Sequence, residues 1–388
     1  MAIDLKELLS GIQSKIGGLT PSSPSRQLEF LAKAAVRSGE NLVRSFDSDA
    51  EFLDSATTSP HLMLYHTTDK NIYMWDSDGT WKPISGTVEL GPTQAQGSTS
   101  GFTSGGIPYS SPTHVIDKFP FASNSNATDV ANMSVARYEL AGQSSSVSGY
   151  NSGGNTSPPT PGINNVIDKY PFASGGNSSD VGDLTMARKH LSGQTSTSSG
   201  YTAGGEGPGL GDHTNRIDKF PFSSDANASD VGDLSITKIR LSGQSSADDG
   251  YASGGYHPAP NTPNHQRIDK FPFSSDANAT NIGNLTQSRS YLTGQQSNVS
   301  GYSSGGHPGY NRIDKFSFSS DGNATDVGDL SVARGNSAGQ SSTDNGYTSG
   351  GGPPNNNVID KFPFAADGNA TDVGDLSVAR FGLAGQQV

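Results

Sequence analysis

The sequence predicts a mainly β protein that closes as a six-bladed β-propeller. Three observations carry this reading. A phrase beginning Ile-Asp-Lys occurs six times, at Ile116, Ile167, Ile217, Ile268, Ile313 and Ile359, with spacings of 45 to 51 residues. A second phrase, Gly-aromatic-x-small-Gly-Gly, also occurs six times, starting at Gly101, Gly149, Gly200, Gly250, Gly301 and Gly346. Finally, the chain enters this array at the second phrase and leaves it at Ala384-Gly385-Gln386. Self-similarity at such a period marks a propeller, a solenoid or an array. The complementary ends choose among them. A ring needs its last strand to complete its first blade, and closure removes the exposed strand edge.

Composition bounds the alternatives. The chain has 388 residues, only 31% of them hydrophobic, with 49 Gly and 22 Pro. Disorder could share that profile. The low charged fraction, 16%, and the periodic Tyr and Phe instead indicate short strands joined by tight turns. There is no cysteine, which excludes disulfides and thiolate metal sites. The net charge is −12; residues 1–86 hold eight Lys and Arg against eleven Asp and Glu, and the rest carries −9. Such a surface repels phosphate backbones, so nucleic acid is not expected as a partner. No run approaches the roughly 18 apolar residues of a membrane span, so membrane insertion is not expected. Met-Ala-Ile-Asp-Leu-Lys leads into no apolar core of a secretory signal.

Residues 1–45 read as a helical anchor or oligomerisation region. Leu5, Leu8, Leu9, Ile12 and Ile16, continued by Leu19, form one helical stripe that Gly17-Gly18 interrupts. Ser23-Pro24 opens a second helix carrying Leu28, Phe30, Leu31, Ala34 and Ala35. Helices this short are marginal alone. They either pack on each other or join a bundle or larger assembly. Residues 46–86 read as a small α+β connector. A short helix follows Asp47-Ser48-Asp49, then a three-stranded meander over Leu62–His66, Asn71–Asp76 and Thr80–Ile84, with Trp75 and Trp81 as its core. This meander resembles small connector modules of bacteriophage fibre proteins. Residues 87–100 are a polar linker, and residues 101–388 form the propeller.

Each blade parses into four strands. Ala-Gly-Gln-Ser-Ser is innermost, with small residues where strands crowd the axis. Gly-Tyr-x-Ser-Gly-Gly is second. Ile-Asp-Lys-Phe-Pro-Phe is third, its Pro marking a bulge or strand end, and Ile, Lys or Phe, and the final Phe are expected to alternate with polar positions. Ala-Thr-Asp-Val-Gly-Asp-Leu is fourth. A turn then leads to Arg137, Arg188, Lys238, Arg289, Arg334 or Arg380 and the next blade. The double glycine, the aromatic before it and this basic residue resemble kelch repeats. The usual Trp of the fourth strand is replaced by Met133, Leu184, Leu234, Leu285, Leu330 or Leu376. The repeat wording itself is similar to repeats in virion proteins of tailed phages, notably marine phages of cyanobacteria. That resemblance implies a fibre or tail-associated protein of the virion, assembled in the host cytoplasm. It also implies attachment to other virion proteins through the N-terminal region, and a homotrimer.

Motifs for chemistry are sparse. Asp225-x-Asn227-x-Ser229-Asp230-x-x-Asp233 is rich in oxygen donors but lacks the Glu that closes an EF-hand loop. It reads as turn chemistry, with a structural calcium as the sharper alternative; no cofactor or metal is assigned. Asn126, Asn177, Asn227, Asn278, Asn323 and Asn369 all begin Asn-x-Ser/Thr triplets and likewise read as turns. Some kelch propellers are copper-radical oxidases, but their Tyr–Cys cofactor cannot form here. No nucleophile motif surrounds the eight His, so no enzyme is expected, with a carbohydrate-active enzyme as the competing reading.

The copies differ at two places. The loop after the double glycine runs from 6 to 12 residues, and the two residues after each Arg or Lys are never the same pair. Strand alternation puts both on one face. Function on a repeat scaffold gathers where the repeats vary. The candidate ligand-binding residues are therefore His114, His213, Tyr256, His257, His265, His307 and Tyr310 from the loops, with Tyr138, His190 and Tyr291 from the variable pairs. Aromatic shelves beside His and Asn donors suit a sugar, so host surface polysaccharide is the expected ligand. A propeller that only decorates the capsid or tail is the bland alternative.

Overall fold

The computed structural model describes residues 63–66, 71–75, 81–83, 96–156, 162–209, 211–257 and 265–388. The helical readings built on Leu5, Leu8, Leu9, Ile12 and Ile16, and the short helix after Asp47, lie outside the described residues. The chain divides into two compact units, Met1–Thr93 and Gln94–Val388. In the first, Met63–His66, Asn71–Trp75 and Trp81–Pro83 form the expected antiparallel meander, with Trp75 opposite Trp81 in register.

The second unit holds six four-stranded antiparallel sheets, the blades of a closed propeller. Blade 1 pairs Ala384–Gln387 with Ser100–Ser104, followed by Val115–Pro120 and Thr128–Asn132. The C-terminal strand is thus the innermost strand of the first blade, as the phase of the repeats requires. Blades 2 to 6 begin at Ala141, Ser192, Ser242, Thr293 and Ala338, each continuous in sequence. Each third strand ends on its Pro, or on Ser317 in blade 5. A bulge follows each Ile of the third strand on the side facing the fourth.

The expected alternation along the third strand is not what the fold uses. Ile and Asp are both buried and the Lys is half-exposed, because each blade is covered on both faces by its neighbours. Every Asp of Ile-Asp-Lys lies at 0% exposure and meets the basic residue of the crossover entering its blade. Arg137–Asp168, Arg188–Asp218, Lys238–Asp269, Arg289–Asp314, Arg334–Asp360 and Arg380–Asp117 are 2.7 to 3.1 Å apart. A hydroxyl on the same crossover donates to each carboxylate, from Ser134, Thr185, Ser235, Thr286, Ser331 or Ser377. Each buried charge thereby has an opposite charge and at least one hydrogen bond, which burial demands, while the Nε of each crossover arginine and Asp269 Oδ2 have no hydrogen-bond partner.

Three further contacts join blade to blade all the way round. The aromatic of each second phrase lies against the Phe-Pro-Phe or Tyr-Pro-Phe of the next blade, as Tyr150 does on Phe220 (5.5 Å) and Phe222 (4.8 Å); in blade 5 the sequence is Phe-Ser-Phe. Such pairs add about 0.5–1.5 kcal/mol beyond area burial. Each inner-strand Gln donates through its amide nitrogen to a carbonyl of the next blade's second strand. Gln143 reaches Tyr201, Gln194 reaches Tyr251, and Gln386 closes the circle on Tyr150. Each Asn of the Asn-x-Ser/Thr triplets accepts the N–H that ends the preceding blade's fourth strand, Asn227 from Asp183 at 3.0 Å and Asn126 from Asp375 at 3.0 Å. These asparagines are inter-blade latches.

Candidate functional site on the loop face

The face carrying the variable loops is built by pairing the two variable sites to each other. The first residue after each Arg or Lys bridges the first residue after the double glycine of the same blade. Tyr138 meets Asn155, Lys189 meets Glu206, Ile239 meets Tyr256, Ser290 meets His307, Gly335 meets Gly352 and Phe381 meets Ile107. Both variable sites therefore share one face, as strand alternation indicates. The tips between inner and second strands, such as Ser145–Ser148, lie on the other. The propeller's own first residues also lie there: Gln96 donates to the Gln296 carbonyl and Gly97 pairs with Ser342.

The second residue of each variable pair forms a ring around the axis. Glu139, His190, Arg240, Tyr291, Asn336 and Gly382 are equivalent positions. Each N–H donates to the preceding member's carbonyl, from Gly382 to Glu139 and round to Asn336 and Gly382, at 2.7 to 2.9 Å. All six have φ between 57° and 74°, in the left-handed region. Only Gly382 adopts that conformation without a steric cost. At the other five positions a side chain is held there at on the order of 1 kcal/mol each, less for Asn and His, which tolerate the region best.

These side chains meet at the mouth of the axial channel, whose wall is the six inner strands. His190 is buried, with Nε2 2.8 Å from a Glu139 carboxylate oxygen and Nδ1 3.3 Å from Glu206. Its hydrogen bond holds the Glu206 carboxyl below the usual carboxylate range, with Lys189 at 3.8 Å adding to the effect. The Tyr291 ring packs edge-on to His190 at 5.5 Å, and burial pushes its hydroxyl up to about 12, so it stays protonated near neutral pH. The Arg240 guanidinium lies 4.7 Å from the Tyr291 ring and 5.6 Å from the Tyr256 ring. His307 approaches Tyr291 at 6.4 Å and is exposed.

Of the residues singled out in sequence, the fold thus gathers His190, Tyr256, Tyr291 and His307. The others stand apart. His257 and His265 form their own pair, 5.3 Å between rings, with His257 Nδ1 beside Thr237; burial, then His257, pushes the His265 imidazole down. Tyr138 accepts a hydrogen bond from Asn155, and Tyr310 accepts one from Gln287. His213 bridges Glu206 through its backbone, and His114 is exposed on blade 1. Glu139, Arg240 and Asn336 join them in the ring; their signal in the sequence is their place as second residue of a variable pair, not their chemistry.

Among the described residues, no three His, Asp or Glu converge on a point where a metal ion would sit. The Asp225 carboxylate in the oxygen-rich segment instead meets Lys169 of the neighbouring blade at 2.9 Å. No protein-family model matches the chain, and no curated protein matches it in sequence.

Proposed function

We propose that the propeller is the ligand-binding head of a virion fibre or tail-associated protein, and that its loop face binds a host-surface glycan. The observation that carries the binding reading is the axial ring. Five side chains are kept in a backbone conformation that glycine alone adopts freely, and they meet at one mouth on the variable face. Strain of this kind gathers at functional sites. The shelf of Tyr256, Tyr291 and His307 gives a sugar ring apolar faces, with polar groups beside it. The virion assignment, the homotrimer and attachment through residues 1–45 draw on the resemblance of the repeat wording, and the kelch-like reading draws on the double glycine and the buried Arg.

The test is an array of bacterial capsular and O-antigen glycans probed with the full chain. Tyr256→Ala is expected to lower binding at least tenfold with the melting temperature unchanged. Val147→Ala, on the opposite face at 68% exposure, is expected to leave binding intact. An array that wild type does not bind favours the purely structural alternative. Attachment is tested separately: particles that still take up protein lacking residues 1–40 would refute the anchoring role.

A further inference from the structure

We propose that the axial mouth takes a carboxylate-bearing sugar, a uronic acid residue, with Arg240 as its anchor; this rests on the glycan reading above and names the class of glycan. The crossover cations set the contrast. Arg137, Arg188, Lys238, Arg289, Arg334 and Arg380 each sit against a buried carboxylate. Lys189, on the same face as Arg240, meets Glu206. Arg240 has no ion pair among the described residues, in a chain of net charge −12.

The local carboxylates are already engaged. Glu139 and Glu206 both lie against His190, one beside each ring nitrogen, and Glu206 also meets Lys189. Arg240 is therefore the cation left over at the mouth. Its Nε is enclosed by the protein and has no hydrogen-bond partner, as is also true of the five crossover arginines, so what sets Arg240 apart is the lack of a carboxylate partner. The guanidinium lies over the Tyr291 and Tyr256 rings, which attract it without neutralising it.

A guanidinium presents parallel N–H donors that match the two oxygens of a carboxylate, and the pair is stronger than a neutral hydrogen bond. A pyranose carrying that carboxylate also offers C–H faces to the two tyrosines. A neutral sugar would leave the charge unanswered. The site is held rigidly, because Arg240 itself belongs to the closed ring of backbone bonds, donating to His190 and accepting from Tyr291.

The experiment is titration calorimetry on the full chain with oligomers of galacturonate, glucuronate and mannuronate, and with the methyl esters of the same oligomers. At least one acid oligomer is expected to bind tenfold or more tightly than its ester, with affinity falling as salt rises. Arg240→Gln is expected to abolish that difference, and Arg240→Lys, which keeps the charge without the fork, to fall between. Both should melt as wild type does. Should the Gln variant not fold, the Lys variant and the ester comparison still decide. Equal binding of acid and ester, or an unchanged preference in Arg240→Gln, overturns the uronate assignment while leaving glycan binding standing. Competition by inorganic phosphate as effective as that by the acid oligomer also overturns it. Binding of no glycan on the array or in the cell overturns both readings.

Discussion

Position by position, the six copies act as internal controls, and one of them departs. Lys238 occupies the place of an Arg. In blades 2, 3 and 5 the Arg donates to the carbonyl of the first glycine of the pair and to the carbonyl that begins the third strand, besides its Asp. Lys238 reaches Asp269 and the Ala252 carbonyl only. Burial lowers its pKa, against the attraction of Asp269. Lys238→Arg adds two charge-assisted bonds in a geometry the sibling blades already accommodate. It should stabilise the protein by on the order of 1–2 kcal/mol, seen as a higher urea midpoint with the slope unchanged. A lower midpoint would mean that blade 4 is packed differently around this cation. The Arg was legible in the sequence as a repeated residue. Its partner was not, because Asp in Ile-Asp-Lys looks like a solvated position until the neighbouring blade covers it.

For single elements, the inner strand explains why a chain so poor in large apolar residues can close a ring. In the Gly-Gln of each inner strand the glycine faces the backbone carbonyl of the preceding blade's glycine, Gly193 against Gly142 and Gly142 against Gly385. A Cβ there would overlap that oxygen, so the approach sets the spacing of the strands at the axis. Gly193→Ala must push two blades apart, and overpacking of this kind costs roughly 1–3 kcal/mol. A melting temperature several degrees lower is expected; an unchanged one would show that the inner strands stand further apart. Strand order and turn positions were legible because phrase and strand coincide. The Asn latches were not, since an Asn-x-Ser/Thr triplet reads as local turn chemistry and its donor stands 39 to 45 positions away, or 249 where the ring closes.

Across the whole molecule, repetition and variation divide the labour. The repeated residues are consumed by contacts between blades: buried Asp–Arg pairs, Gln bridges, aromatic stacks and Asn latches, each made six times or nearly so. Little of the repeated wording remains free for a ligand. The loops that vary in length and the variable pairs lie on one face, and the propeller's first described residues, Gln96 and Gly97, lie on the other. Closure was legible from the phase of the two phrases. The axial ring was not, because nothing in a variable dipeptide announces a left-handed backbone; only Gly382, the one glycine among six equivalent positions, hints at it. On the function proposed above, the scaffold stands without those side chains and the binding site does not. The most direct measurement replaces Glu139, His190, Arg240, Tyr291 and Asn336 together with Gly, matching position 382, and records thermal unfolding and glycan-array binding on the same sample. The propeller is expected to unfold in one cooperative transition near or above the wild-type temperature, with binding lost; an unfolded ring, or binding retained, would contradict this division between scaffold and site.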